Sequence, residues 1–376
     1  MQDLFLTLAV WCAIGALAGV LGPRLGTGAA VVEIVLGFAA AALGLPNSAA
    51  AAPLSVIGAI LIAFLAGIEV DHATLKHRWR ACLVIGGAAF LPPLAAVYAV
   101  AVWVMKIDPT GAAVMALALA ETSIAVTYAV LVETGMSRTE VGKLVLASVF
   151  VTNMAAVGGL AVLLFDRTAD PHKLALMLAG GAAAVALMLW LARRPALDPA
   201  GRVPGRAVLA ALLALAALAA DIKMAAVLPA YVVGVLAAGR LSRAPQIGDS
   251  LRGLAFIGFT SFYFARVGSL IDPSAFAASW PAMAALLLAK LSTKFAAVWM
   301  VLGFAKVSAR ERLFAAAVTS SGLTFGSFIA LFGRTESLLD QRSYAALIGV
   351  IVLSAVLPAL AANRLRRTLS PLQVTT

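Results

Sequence analysis

Long apolar runs separated by short polar segments fill almost the whole chain. A helix needs roughly 20 apolar residues to cross a bilayer. On that spacing the pattern predicts an all-α polytopic membrane protein with about 13 transmembrane helices. The predicted spans are residues 4–22, 28–45, 54–70, 81–105, 110–133, 144–165, 174–192, 207–220, 224–239, 253–270, 279–304, 313–333 and 343–362.

The composition supports this class. Hydrophobic residues make up 63% of the chain and charged residues 12%, whereas about a quarter of a soluble domain is charged. We therefore expect a single transmembrane domain over residues 1–376. A basic, Pro- and Gly-rich cytoplasmic linker at 193–206 is predicted to separate a first half, at about 1–192, from a second half, at about 207–376.

The net charge of +11 would suit nucleic acid, but membrane topology explains it. Of the 28 Lys and Arg residues, 19 lie in loops after odd-numbered spans or in the C-terminal tail, and six lie in loops after even-numbered spans. Basic loops stay in the cytoplasm. The N-terminus is therefore predicted outside and the C-terminus inside, with membrane lipid and not nucleic acid as the partner.

The fifth and sixth predicted spans carry polar residues at their centres. Glu121, Thr122 and Ser123 interrupt the fifth span, and Thr152 and Asn153 lie near the middle of the sixth. A bare polar group is costly in hydrocarbon, so such groups normally face a protein interior or a water-filled path. Two neighbouring helices with polar centres at similar depth predict an ion or substrate site.

The twelfth span repeats this pattern, because its centre is polar and interrupted at Gly322, Thr324 and Gly326. Spans four to six and eleven to thirteen share the order long, interrupted, long, and they cross the membrane in opposite senses. Interrupted helices at corresponding positions of two inverted repeats indicate a transporter binding site. Their half-helix ends would present carbonyl and amide groups to an ion at the midplane.

Charged residues inside the spans leave alternatives open. Lys290 and Lys294 share one face of the eleventh span, and Lys294 lies near its middle. A buried lysine must find an acid, find water or lose its proton. Arg266 either extends to the nearby outer face or serves the core. Glu121 is either a structural acid that pairs with a base or with freed amides, or a second proton or cation ligand.

The chain resembles a known family through five motifs. They read FLAGIEVD, TSIAVTYAVLVETGMSRTEVGKLVLASVFVTN, FYFARVGSLID, LSTKF and GLTFGSFIALFG. They are similar to those of bacterial sodium/hydrogen exchanger-type antiporters of the monovalent cation/proton antiporter-2 group, over nearly the whole chain. The resemblance implies an inverted-repeat fold with two crossed broken helices, a homodimer in the bacterial inner membrane, and exchange of Na+ or K+ for H+ without a cofactor.

The resemblance also implies the site. The family normally has aspartate at the ion-binding position of the motif VFVTNM, where this chain has Asn153. An amide can offer an oxygen to a cation but cannot carry a transported proton. The interpretation is a transporter trapped or inactivated at this position, by natural change or by engineering.

The expected ion and proton ligands are Asn153, Thr152, Thr122, Ser123 and Glu121, with the cation at Asn153 and Thr122; Lys294 and Arg266 supply core charge, and Gly322, Thr324 and Gly326 form the broken-helix crossing.

Two other functions remain open at this point. One is a non-exchanging membrane sensor or assembly subunit that keeps the fold without the acid. The other is a sodium-coupled organic-anion symporter, because crossed broken helices also serve such transporters. An enzyme is disfavoured, since the sequence lacks an HExxH motif and a nucleophile motif in the right context.

The charge distribution predicts the accessibility of two loops. A cysteine introduced at Pro204 should react with an impermeant maleimide only from the cytoplasmic side, and one at Ser337 only from outside, because the basic loops stay inside. Labelling both positions from the same side would contradict the thirteen-span topology.

Overall fold

The computed structural model describes residues 1–69, 72–164, 171–191, 193, 202–221, 225–241, 245–305 and 307–366, and every regular element in them is helical. The α helices are α1 Gln2–Arg24, α2 Ala29–Ala42, α3 Ala52–Ile68, α4 His72–Ala99, α5 Pro109–Ala120, α6 Ile124–Glu133, α7 Glu140–Leu164, α8 Pro171–Leu191, α9 Arg202–Asp221, α10 Val227–Leu241, α11 Pro245–Leu254, α12 Thr260–Ser269, α13 Pro273–Ala278, α14 Trp280–Phe304, α15 Ala309–Thr319, α16 Thr324–Thr335 and α17 Gln341–Arg366.

The predicted all-α membrane class is confirmed, but the count of thirteen spans is not. Ten helical segments of the described residues are long and apolar enough to cross a membrane. Three predicted spans correspond instead to the shorter helices α2, α10 and α12. A π-helical turn at Ala255–Phe259 separates α12 from α11. The predicted linker at 193–206 lies mostly outside the described residues, and α9 begins within it, at Arg202.

The contacts divide the chain into two units, each of which draws on both predicted halves. The first comprises Met1–Gly19, Glu33–His72 and Ala161–Leu270. Its apolar core joins α3, α8, α9, α10 and α11. There α3 packs so closely along α10 that a Cβ on Gly67 or Gly234 would overlap the facing backbone. Such contacts between small residues replace the hydrophobic effect as a packing force inside a membrane.

The second unit comprises Val20–Val32, Ala73–Leu160 and Ile271–Thr376. Within it α17 packs against α5, α6, α14, α15 and α16. Residues 344–351 of α17 are buried all around the helix, as expected for a helix that is apolar on every face.

Two helical spans of the second unit break in mid-course, as the sequence predicts. α5 ends at Ala120 and α6 begins at Ile124, with Glu121 in an extended conformation at φ −62° and ψ 164°. α15 ends at Thr319 and α16 begins at Thr324. Both breaks are rich in Ser and Thr, whose side chains compete with the backbone for helical hydrogen bonds.

The start of the first broken helix depends on a side-chain cap. The Asp108 carboxylate accepts hydrogen bonds from the N–H groups of Thr110, at 3.0 Å, and Gly111, at 2.9 Å. Asp108→Ala should lower the free energy of unfolding by about 1 kcal/mol, while Asp108→Asn keeps an acceptor and loses less. Thermal unfolding in detergent measures both. An Asp108→Ala chain that unfolds at the same temperature as the unmodified chain would show that the cap does not stabilise this helix.

Candidate functional site

The two breaks cross and hydrogen-bond to each other. The Ser123 N–H donates to the Ser321 carbonyl at 3.3 Å, and the Thr122 hydroxyl donates to the Thr319 carbonyl at 3.2 Å. The hydroxyls of Ser123 and Thr324 are 3.5 Å apart. All five residues are buried. The crossing therefore places a cluster of hydroxyl and carbonyl oxygens inside the second unit.

The second broken helix satisfies the end of its first half with its own side chains. The Ser320 hydroxyl donates to the Ala316 carbonyl at 2.7 Å, and the Ser321 hydroxyl donates to the Val318 carbonyl at 2.8 Å. The last turn of α5 reads LALA and contains no hydroxyl. Its end therefore needs a donor from another element, since the last carbonyls of a helix have no partner within it.

Lys294 supplies that donor from α14. Its ammonium donates to the carbonyls of Ala120, at 2.7 Å, and Glu121, at 2.6 Å. The end of a helix carries a partial negative charge, so a cation is favourable there. Lys294 has no exposed surface. The pairing explains how a lysine is retained in the middle of an apolar helix.

Lys290, one turn earlier on the same face, contacts a different element. Its ammonium donates to the Ser354 hydroxyl of α17 at 2.8 Å, and that hydroxyl lies 3.4 Å from the Gly322 carbonyl. The Lys290 Nζ also lies beside the Cα of Gly322, where a Cβ would overlap it. Lys290 thus faces the second break, whereas Lys294 holds the first.

The Glu121 carboxyl group lies between these elements without a hydrogen bond. Both oxygens are fully buried and have no hydrogen-bond partner. A Cβ on Gly322 or on Gly326 would come within 3.0 Å of its Oε1. The amides of Leu323 and Gly326, near the start of α16, face the carboxyl group but do not reach hydrogen-bond geometry.

Thr152 and Asn153 lie in the buried middle of α7. The Thr152 hydroxyl is satisfied within the helix by the Val149 carbonyl, at 2.8 Å. Asn153 is fully buried, yet neither its Oδ1 nor its Nδ2 has a hydrogen-bond partner. Buried polar atoms are normally paired. An unpaired amide in this position is an available ligand group.

The structure gathers most of the predicted site residues, but not all of them. Hydrogen bonds and close backbone contacts connect the predicted residues of the two breaks to one another, and Lys294 of α14 to the first break. The residues brought together are Glu121, Thr122, Ser123, Gly322, Thr324, Gly326 and Lys294. Asn153 and Thr152 belong to the same unit but are not hydrogen-bonded to the crossing. Arg266 lies on α12 in the first unit, and its role stays a prediction.

Comparison with known proteins assigns the family. The profile of the family described as "Sodium/hydrogen exchanger, transmembrane" matches residues 8–363, which is most of the chain. The chain belongs to this family. Sodium/hydrogen exchangers are transporters, so this exchanger-family protein is not an enzyme.

Two proteins of Methanocaldococcus jannaschii are similar to this exchanger-family protein. The structure of the sodium proton antiporter MjNhaP1, determined at pH 8, superposes with a TM-score of 0.72 at 17% identity, over 96% of this chain and 97% of that one. This similarity establishes the antiporter fold. The "Probable Na(+)/H(+) antiporter 3" is 31% identical over 101 residues, which span 27% of this chain and 26% of that relative.

The site predicted from the sequence did not include two residues of the candidate site, Ser354 and Lys290. Ser354 is a single serine in the apolar run of α17, a position where a hydroxyl normally bonds to its own helix, and it also contacts Ile351 in that way, at 3.0 Å. The roles of Lys290 and Lys294 can be distinguished only by their hydrogen-bond partners, which the sequence does not show. The four-residue spacing of the two lysines indicated a shared face, but not that each faces a different break.

Removing the Lys294 amine should destabilise the first broken helix. In Lys294→Met the two buried carbonyls lose their donor, and an unpaired buried group costs about 1–3 kcal/mol. The unfolding temperature in detergent should fall accordingly. Ser292→Ala is the matched control, because the Ser292 hydroxyl is on the same helix and bonds only to the Leu288 carbonyl at an exposed position. A Lys294→Met chain as stable as this control would disprove the role of the amine.

Proposed function

We propose that this chain is a secondary antiporter of the bacterial inner membrane that exchanges Na+ or K+ for H+. The observation that carries the proposal is the fully buried group of Glu121, Lys290 and Lys294 at the crossing of two broken helices. Buried charges in a membrane protein mark ion pathways and proton relays. Broken helices bring backbone carbonyls to the same depth.

The crossing offers the oxygen ligands that a monovalent cation requires. Hydroxyls of Thr122, Ser123 and Thr324 line it, and the unpaired Oδ1 of Asn153 is a further candidate ligand. Carbonyls at the ends of half-helices commonly coordinate Na+ in such transporters. We assign the cation to these oxygens, with Asn153 and Thr122 as its central ligands.

Lys294 competes with the cation for the same place. Its ammonium occupies the carbonyls of Ala120 and Glu121, which form the negative end of α5. A cation that approaches these carbonyls is repelled by the ammonium, and it binds more readily when that ammonium moves away or loses its proton. This competition would link cation binding to a change at the break.

Asn153 allows two forms of the proposal. In the first, coupling requires an acid at residue 153, and the chain does not exchange cations for protons until that acid is introduced. In the second, another carboxyl group carries the proton. A non-exchanging sensor or assembly subunit is the alternative that the non-titrating amide of Asn153 favours.

The remaining details follow from the same proposal. The transporter is a homodimer with its N-terminus outside and its C-terminus in the cytoplasm, the orientation favoured by the charge distribution. Its two inverted halves lie on either side of the linker at 193–206.

Proton flux in proteoliposomes tests the function. With an imposed Na+, K+ or Li+ gradient, Asn153→Asp should show pH-dependent exchange of cation for proton, because a carboxylate holds either ion in turn. Adding Lys294→Ala should weaken that exchange or shift its pH profile, since the competing charge is gone. Protein-free liposomes give the background.

The alternatives predict different fluxes. No exchange by either the unmodified chain or Asn153→Asp, with any of the three cations, would contradict the antiporter and favour the sensor. Flux that requires an organic anion would favour the symporter.

A further inference from the structure

Glu33 and Glu121 are the two acids buried in the part of the chain that the structure describes. Glu33, in the first unit, accepts a hydrogen bond from the Ser261 hydroxyl at 2.5 Å. Glu121, in the second unit, has no side-chain donor, and the N–H groups of Leu323 and Gly326 face it outside hydrogen-bond geometry. An unpaired buried carboxylate is costly. A proton or a cation bound at Glu121 would compensate that charge.

The space around Glu121 is kept open by glycine. A Cβ at Gly322 or at Gly326 would come within 3.0 Å of the Glu121 Oε1, because the carboxyl group lies against the backbone of the second break. At the same crossing the Ser123 and Thr324 hydroxyls come together. The carboxyl group thus lies against the two glycines that flank Thr324, one of the residues to which the cation is assigned above.

The charged groups that face Glu121 are Lys290 and Lys294, both on α14. Neither lysine forms an ion pair with its carboxyl group, and the Lys294 ammonium is engaged by the carbonyls of Ala120 and Glu121. The Lys290 Nζ and the Glu121 Oε1 both lie beside the Cα of Gly322. Lys290 and the Glu121 carboxyl group therefore face the same point of the second break.

We propose that Glu121 is the carboxyl group that alternately holds the proton and the cation, in place of residue 153. When a cation binds, the Glu121 proton leaves to water, and when the cation leaves, a proton returns, so that one site exchanges one cation for one proton. Asn153 then serves as a neutral ligand. The inference rests on the proposed function and selects the form in which the unmodified chain exchanges.

Substitution of the two buried acids tests the inference in proteoliposomes. The unmodified chain should exchange, and Glu121→Gln should fall to the level of protein-free liposomes, because its amide keeps the shape but does not titrate. Glu121→Asp should retain exchange with a shifted pH profile or cation KM. Glu33→Gln, which changes the buried acid of the first unit, is the matched control and should keep its rate.

A second measurement does not depend on transport. Dicyclohexylcarbodiimide, an apolar reagent, modifies protonated carboxyl groups. In detergent it should label Glu121, and Na+ should suppress that labelling, while labelling of Glu33 should not respond to Na+. Mass spectrometry of peptides reports both sites.

The outcomes separate the two proposals. Exchange that persists in Glu121→Gln overturns the inference and leaves the antiporter standing. The inference is also overturned, and the antiporter left standing, if the unmodified chain shows no exchange and Asn153→Asp shows it. If no variant exchanges, the proposed function fails; Na+-suppressed labelling of Glu121 then still supports cation binding there, and labelling indifferent to Na+ overturns it.

Discussion

A helix that breaks inside a membrane must find partners for the backbone groups that it frees, because hydrocarbon supplies none. The second unit of this exchanger-family protein meets that constraint by crossing two breaks. The Ser123 N–H bonds to the Ser321 carbonyl, and Lys294 holds the carbonyls at the end of α5. The groups that stabilise the crossing are backbone oxygens and a buried ammonium. The same solution supplies the oxygens from which the proposed ion site is built.

The carbonyls at the end of α5 stabilise the break and would also bind an ion, so the two roles compete. Lys294 stabilises the first break by occupying the carbonyls of Ala120 and Glu121, and a transported cation would be attracted to the same oxygens. The competition is reciprocal, because a ligand that weakens the lysine's hold is itself bound more weakly while that hold persists. The free energy of such a site is low when either the lysine ammonium or a transported cation occupies the carbonyls, and high when neither does. An alternating transporter requires this property.

Much of this was predictable from the sequence. Apolar run length gives most of the spans, and the polar centres at Glu121–Ser123 and near Gly322 locate both breaks. The count of thirteen spans is not confirmed, because three of the predicted spans correspond to shorter helices and a π-helical turn interrupts the segment before α12. Partners of Lys294 could not be predicted, since they are main-chain carbonyls and every residue has one. Ser354 was hidden for a related reason, as a lone serine in an apolar run normally bonds within its helix.

If Glu121 is the coupling acid, as proposed, its position determines how ion binding would be transmitted. A carboxyl group at residue 153 would lie in the middle of α7, a continuous helix whose backbone is already hydrogen-bonded. Glu121 instead lies at the break itself, where its carbonyl is held by Lys294 and its side chain faces the second break. A change of charge on Glu121 acts on the residue that joins α5 to α6. Protonation there would bear directly on the geometry of the crossing, without an intervening helix to carry the effect.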